Sequence, residues 1–133
     1  MSAEAEILRK YRTIAVVGLS SDEARDSHSI SAYMQAAGYR ILPVNPAETE
    51  VLGEKAYPTV ASIPATVEIV NVFRRPEAVP SVVDDAIAAG AKVIWMQEGI
   101  VNEEAAAKAR AAGLEVVMDR CIRSEHRRMT AGA

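Results

Sequence analysis

Five short apolar runs alternate along the chain with segments whose apolar positions recur at helical spacing. The runs are apolar throughout instead of alternating with polar residues, which is typical of strands buried on both faces of a parallel sheet. The pattern predicts strands over residues 13–18, 39–46, 67–73, 91–96 and 114–119. The intervening segments predict helices over residues 2–11, 29–38, 76–90, 102–113 and 120–129.

This alternation predicts an α/β fold: a doubly wound, Rossmann-like domain over residues 1–133, with about five mainly parallel strands and helices on both faces. The connection over residues 47–64 is longer and contains turn residues. Its apolar residues Val51, Leu52 and Tyr57 either form an exposed surface for a protein partner or fold over the core.

A doubly wound sheet binds ligands beyond the carboxyl ends of its strands, where the strand order reverses. Glycine at the end of the first strand and paired arginines at the end of the third are more specific than ordinary loop polarity. The predicted ligand-binding residues, all following strand ends, are Gly18, Leu19, Ser20, Arg25, Ser27, His28, Asn45, Pro46, Phe73, Arg74, Arg75, Gln97, Glu98 and Gly99.

The loop after the first strand, SSDEARDSHS, is polar and leads into a helix. Hydroxyls of Ser20 and Ser27, the Arg25 guanidinium and the helix amides could together hold a phosphate. The alternatives are that Ser27 only caps the helix and that His28 is only an exposed residue at its start. The loop lacks the second glycine of the dinucleotide fingerprint, and Asn45 stands where that fingerprint has an acidic residue, which argues against NAD.

Composition and charge exclude several classes of protein. A net charge of −3 predicts no affinity for nucleic acid or for anionic membranes, and no apolar run approaches a membrane span. The amino-terminal residues do not form a signal peptide. A single cysteine, Cys121, allows no internal disulfide, so a cytoplasmic location is expected.

No catalytic or metal-binding constellation is apparent in the sequence. Ser20 does not lie in a nucleophile elbow, and Cys121 with His126 offers too few ligands for structural zinc. Cys121 follows the fifth strand on the expected ligand edge. It is either a buried, inert cysteine or a partner for a thiol of the ligand.

The motifs IAVVGLS, ARDSHSI, GYRILPVNP, VEIVNVFRRPE and GAKVIWMQEG occur in an order that resembles the CoA-binding domain family. This family consists of small stand-alone proteins similar to the amino-terminal domain of the succinyl-CoA synthetase alpha subunit. The resemblance extends from about Thr13 to Arg128, and PVNP and WMQEG are its more specific motifs.

The resemblance implies that coenzyme A lies across the carboxyl edge of the sheet. Its phosphates would meet Gly18–Ser20 and the Arg25–His28 segment, and the arginines after the third strand could add matching charge. Arg75 could equally be a solvent-facing residue, and Phe73 could equally be a core residue. The synthetase's catalytic histidine lies in a second domain, so the ligase chemistry is not carried over.

The leading hypothesis is therefore a non-catalytic protein that binds CoA or an acyl-CoA as a carrier, sensor or regulator. The second is an enzyme or enzyme subunit that uses CoA or NAD(P) with a partner. The third is a regulatory module that binds a protein partner. A homodimer is compatible with so small a sheet, but no sequence feature fixes the oligomeric state.

Overall fold

The computed structural model describes residues 1–132 of the chain. Five helices and seven strands follow one another as α1 (Ala3–Lys10), β1 (Thr13–Val17), α2 (Asp26–Ala36), β2 (Arg40–Val44), β3 (Glu50–Val51), β4 (Glu54–Lys55), β5 (Ile69–Val72), α3 (Val79–Ala88), β6 (Val93–Met96), α4 (Glu103–Ala111), β7 (Glu115–Val117) and α5 (Ile122–Ala131). Two 3₁₀ turns cover Val60–Ser62 and Pro76–Ala78.

Five of the strands form one sheet in the order β2-β1-β5-β6-β7, and every pair of neighbours in it is parallel. The chain moves outward from β1 to β2 and then crosses back to β5 on the other side of β1. The strand order therefore reverses between β1 and β5. The predicted doubly wound, Rossmann-like sheet of five parallel strands is confirmed.

Two apolar cores lie on opposite faces of the sheet, as the uninterrupted apolar runs predicted. In β1, Ile14 and Val16 pack into one core with residues of α1, α2 and α5. Ala15 and Val17 pack into the other core with residues of α3, α4 and the turn at Val60–Ser62. Because side chains alternate along a strand, one short run supplies both layers.

The helix that follows β1 begins earlier than predicted, at Asp26 instead of Ser29. Its first turn is so polar that no apolar periodicity marks it. Ser27 lies inside this turn, and Arg25 occupies the N-cap position without a capping side chain. The alternative that Ser27 is the helix N-cap is therefore wrong.

The connection between β2 and β5 contains a short antiparallel hairpin of β3 and β4. Val51 is only 3% exposed and belongs to the core, while Leu52 and Tyr57 are half-buried and pack against the two cores. Tyr57 also forms a parallel bridge with Val44 at the end of β2. The exposed apolar surface considered for a protein partner is thus absent here, because these residues fold over the core.

Candidate functional site

The ends of β2, β1 and β5 are held side by side where the strand order reverses. The Gly18 amide donates to the Val44 carbonyl oxygen at 2.8 Å, and the Phe73 amide donates to the Val17 carbonyl oxygen at 2.8 Å. Gly18 has a φ of +90°, and a Cβ at this position would lie 2.4 Å from the Phe73 carbonyl oxygen. Only glycine lets the two chain segments approach so closely.

A hollow of about 560 Å³, the first hollow, opens at this reversal point. Its wall comes from the loops after three parallel strands and from the amino end of α2. The lining residues are Gly18, Ser20, Ala24, Arg25, Asp26, Ser27, Asn45 and Phe73. A crevice at this place is where doubly wound sheets bind their ligands.

The serine-rich loop is folded back onto the start of α2 by its own hydrogen bonds. The Ser20 amide donates to Ser27 Oγ at 3.1 Å. His28 Nδ1 lies 2.9 Å from the Ser20 carbonyl oxygen, and the Asp22 amide donates to Ser20 Oγ at 3.0 Å. Ser20, Ser27 and His28 therefore form one connected unit between β1 and α2.

Several hydrogen-bond donors remain directed at the first hollow. Ser20 Oγ and Ser27 Oγ each accept an amide hydrogen, which leaves the hydroxyl protons free to donate. The first amides of α2 have no intrahelical acceptor, and no side chain caps them. Arg25 adds a guanidinium that is largely exposed and 3.9 Å from the exposed Asp22 carboxylate. This set of donors suits an anion at a helix amino terminus.

One carboxylate opposes that preference. Asp26 lines the first hollow and lies in the first turn of α2, where the helix dipole stabilises a negative charge. Its charge offsets part of the positive potential of Arg25 and of the helix end. The hollow therefore attracts anions less strongly than its donors alone would.

Asn45 fixes the wall that follows β2. Its Nδ2 donates to the Leu19 carbonyl oxygen at 3.1 Å, and its Oδ1 accepts from the Ala47 amide at 2.9 Å. Asn45 thus ties the loop after β1 to the loop after β2. Asn45 stands where the dinucleotide fingerprint has an acidic residue. In this protein its side chain connects two loops through hydrogen bonds.

A smaller hollow of about 310 Å³, the second hollow, adjoins the first at the ends of β6 and β7. Asp26 and Phe73 line both hollows, so they form a continuous surface. The lining residues of the second hollow are Asp26, Ile30, Phe73, Gln97, Glu98, Ile100, Cys121, Arg123 and Ser124. Its polar groups come from the loop after β6, from the start of α5 and, through Asp26, from α2.

Gln97 joins β6 to the start of α5. It is 3% exposed, and its Oε1 accepts the Ile122 amide at 3.0 Å. Nearby, the Gly99 amide donates to Asp119 Oδ1 at 2.7 Å, and Trp95 Nε1 donates to the Arg120 carbonyl oxygen at 2.9 Å. These bonds hold the loops after β6 and β7 together.

Arg74 and Arg75 are exposed and lie on the same edge beyond β5. Both line a further hollow with Phe73, and Arg74 also borders a groove with Pro46 and Val44. Neither arginine forms an ion pair with a carboxylate of residues 1–132. Their guanidinium groups are therefore available to a phosphate at the rim.

The structure brings most of the predicted residues to one edge. Gly18, Ser20, Arg25, Ser27, Asn45 and Phe73 line the first hollow; Gln97 and Glu98 line the second; Pro46, Arg74 and Arg75 lie around them. Three others differ in kind. Leu19 is fully buried in the core, so only its backbone is available, while His28 and Gly99 are outside both linings and hold loop conformation.

Sequence reasoning did not include Ala24, Asp26, Ile30, Ile100 and Arg123 among the site residues. Ile30 belongs to the apolar stripe of the predicted helix, and Asp26 belongs to the polar loop that precedes it. The earlier start of α2 was the missing signal, because it places Asp26 and Ile30 one turn apart along the wall.

Residues 1–132 contain neither a metal-binding cluster nor a membrane-spanning helix. No group of three or more histidine, cysteine or acidic side chains is arranged to hold a metal ion. No helix in the same range is long and apolar enough to cross a bilayer.

Comparison with known proteins assigns the sequence to a family. Residues 12–127 match the sequence model described as CoA binding domain. The chain is 47% identical over 121 residues to the uncharacterized protein YneT of Bacillus subtilis (strain 168), covering 91% of this chain and 90% of YneT. A solved structure of a hypothetical protein from Pyrococcus horikoshii OT3 superimposes with a TM-score of 0.93 at 43% identity, covering 96% of this chain and 89% of that one.

A larger enzyme contains a similar segment. The chain is 25% identical over 121 residues to the ADP-forming acetate–CoA ligase I of Archaeoglobus fulgidus, which covers 84% of this chain but only 18% of the ligase. The similarity is therefore to one domain of that enzyme.

Proposed function

Since this chain belongs to the CoA-binding domain family, we propose that it binds coenzyme A or an acyl-CoA at the carboxyl edge of its sheet and acts without catalysis, as a carrier, sensor or regulator. The first hollow would receive the pyrophosphate. The exposed arginines after β5 would meet the 3′-phosphate at the rim.

The observation that carries this proposal is that several hydrogen-bond donors able to bind an anion lie together where the strand order of the sheet reverses. Ser20 and Ser27 hydroxyls, the uncapped amides of α2 and the Arg25 guanidinium all border one hollow. A pyrophosphate needs several donors at once, and backbone amides at a helix amino end supply them without a change of conformation.

The rest of the edge suits the remainder of the ligand. The pantetheine arm alternates methylene groups with amides, and the second hollow alternates apolar Ile30, Phe73 and Ile100 with polar Gln97. Phe73 lies between the two hollows and would contact the arm where it leaves the pyrophosphate.

The proposal of binding without catalysis is supported by the way the polar groups are engaged. His28 Nδ1 lies at the Ser20 carbonyl oxygen, and Ser27 Oγ accepts an amide hydrogen from Ser20. Within residues 1–132 the hydrogen bonds pair no serine hydroxyl with an imidazole, which is the arrangement that activates a nucleophile.

Isothermal titration calorimetry with CoA, dephospho-CoA, NAD and ATP tests the proposal. CoA is expected to bind more tightly than dephospho-CoA, because dephospho-CoA lacks the 3′-phosphate that Arg74 and Arg75 would meet. NAD is expected to bind far more weakly than CoA, because Asn45 replaces the acidic ribose ligand.

Absence of heat with millimolar CoA would overturn the proposal. Tighter binding of NAD or NADP than of CoA would overturn it in favour of a nicotinamide enzyme. Acyl-CoA hydrolysis or transfer by the purified chain, followed by chromatography of the products, would leave CoA binding in place but overturn the absence of catalysis.

A further inference from the structure

We propose that Cys121 forms a reversible mixed disulfide with the thiol of coenzyme A bound along this edge, so that the thiol–disulfide state of the surroundings controls release of the ligand. This inference rests on the proposed function. It adds a covalent, redox-dependent mode to reversible binding.

Cys121 occupies the part of the edge that a thiol would reach. It is the only cysteine of the chain, is partly exposed, and lines the second hollow at the start of α5. The second hollow shares Asp26 and Phe73 with the first hollow, where the pyrophosphate is proposed to bind. An arm that starts at the first hollow and passes Phe73 therefore leads toward Cys121.

Gln97 provides independent support that the second hollow is built for a polar ligand. Gln97 is only 3% exposed, and its Oε1 accepts a hydrogen bond from the Ile122 amide. That bond sets the orientation of the amide, and Nε2 then has no acceptor among residues 1–132 although the residue lines the hollow. Arg123 Nε, on another lining residue of the second hollow, is a buried donor without a hydrogen-bond partner. A buried donor without a partner is costly, so a ligand carbonyl such as those of pantetheine would satisfy it.

The charges of the second hollow favour an uncharged arm over another phosphate. Asp26 and Glu98 contribute two carboxylates against the single guanidinium of Arg123. A second anion would be repelled, whereas amides, methylene groups and a sulfur atom carry no charge. The distal end of CoA therefore fits here better than its phosphates do.

The exchange step uses a CoA disulfide as the co-reactant. The Cys121 thiolate attacks the CoA-side sulfur of CoA–S–S–R, so that a Cys121 Sγ–S bond forms and the original S–S bond breaks. The leaving thiolate R–S⁻ takes the electron pair and then a proton from water. A free thiol reverses the step by attacking the same CoA sulfur, which returns Cys121 to the thiol and releases the CoA as its mixed disulfide with that thiol.

The test compares the rates at which the purified protein reacts with oxidised CoA dimer and with glutathione disulfide, followed by intact-mass spectrometry without reductant. Wild-type protein is expected to gain the mass of one CoA less two hydrogens, and a thiol reductant is expected to remove it. The reaction with the CoA dimer is expected to be at least tenfold faster than with glutathione disulfide, on the order of the gain that local concentration of a bound reactant provides.

Two variants and one competitor separate the possible causes. C121S is expected to give no adduct with either disulfide. A107C in the C121S background places a cysteine at an exposed position of α4 and is expected to react with both disulfides at similar rates. Desulfo-CoA, which lacks the sulfur, is expected to slow the adduct in wild type only.

Equal rates with the two disulfides in wild type, while CoA still binds in calorimetry, would overturn this inference alone. Equal rates together with no CoA heat would overturn the proposed function as well. A CoA adduct that forms quickly but is insensitive to desulfo-CoA would also contradict the inference, because the reaction would not proceed from the bound state.

Discussion

Gly18 shows how one residue determines whether the site can form. A φ of +90° and a 2.4 Å approach between an added Cβ and the Phe73 carbonyl oxygen leave no room for a side chain. The close approach brings the loops after β1 and β5 together at the reversal point. The sequence indicated a turn at Gly18, but the contact with Phe73 depends on a strand more than fifty residues away.

Replacing Gly18 with alanine is expected to destabilise the protein by about 3 kcal/mol or more, because the positive φ and the clash with backbone add. Gly113→Ala is the matched control: Gly113 has the same φ of +90° but nothing within 4 Å of an added Cβ, so its cost is expected to be about 1–2 kcal/mol. Urea unfolding of both variants measures the difference. Equal costs would contradict the close approach at Gly18.

Arg25 can be tested at the same scale through affinity. Arg25→Gln is expected to weaken CoA binding by about tenfold and to reduce its salt dependence, because one exposed charge-assisted contact is removed. Arg110→Gln, at an exposed position of α4, serves as the control. Calorimetry at two salt concentrations measures both effects, and similar affinities for the two variants would count against the first hollow as the phosphate site.

At the scale of elements, α5 is joined to α2 by a polar contact within an apolar layer. His126 of α5 is 9% exposed, and its Nδ1 lies 2.7 Å from the Tyr33 hydroxyl of α2. The ring also meets Tyr39 edge to face at 5.7 Å. Burial, and secondarily the nearby Arg12 guanidinium, lower the pKa of His126 below its ordinary value of 6.5.

Stability is expected to fall as the pH drops below neutrality because of His126. With a folded-state pKa below that of the unfolded chain, the unfolded state binds more protons as the pH falls. The contribution of His126 to stability is fully present above about pH 7. It falls progressively from about pH 6.5, the pKa of the unfolded chain, down to the folded-state pKa, and it is constant below that. Urea unfolding from pH 8 to 5 should show a steeper loss for wild type than for His126→Gln; parallel curves would contradict it.

Element boundaries were predictable where a local signal marked them. Asn102 caps α4 by accepting the Ala105 amide hydrogen on its Oδ1 at 2.9 Å, and an asparagine before two glutamates is a typical sequence signal for a helix start. The start of α2 was not predictable by periodicity, since its first turn is polar and lies against the first hollow. A helix start that faces an open hollow instead of the core does not carry an apolar repeat.

At the scale of the whole molecule, the sheet gathers loops from distant parts of the sequence. Apolar runs predicted five parallel strands, and the general rule for doubly wound sheets predicted the edge where Gly18, Asn45, Phe73 and Gln97 meet. The division of that edge into two hollows could not be predicted. It depends on the order β2-β1-β5-β6-β7 and on the packing of Phe73 between them.

Ligand binding should also be visible in the stability of the entire fold. CoA at about 100 times its dissociation constant is expected to stabilise the folded state by roughly 2.7 kcal/mol, since it binds only the assembled edge. This stabilisation corresponds to an increase of several degrees in the melting temperature, which differential scanning calorimetry measures. Adenosine, which has no phosphate for the first hollow, is the control, and an equal shift with adenosine would contradict a phosphate-dependent site.

The central claim is that the reversal point of the sheet holds the phosphates of coenzyme A, and a crystal structure of the protein grown with CoA tests it most directly. The account predicts density for the pyrophosphate against Ser20, Ser27 and the amino end of α2, with the arm passing Phe73 toward Cys121. Density for CoA on another face, such as the hollow that Ala5 and Arg9 of α1 form with Arg128 of α5, with the first hollow filled only by solvent, would contradict it.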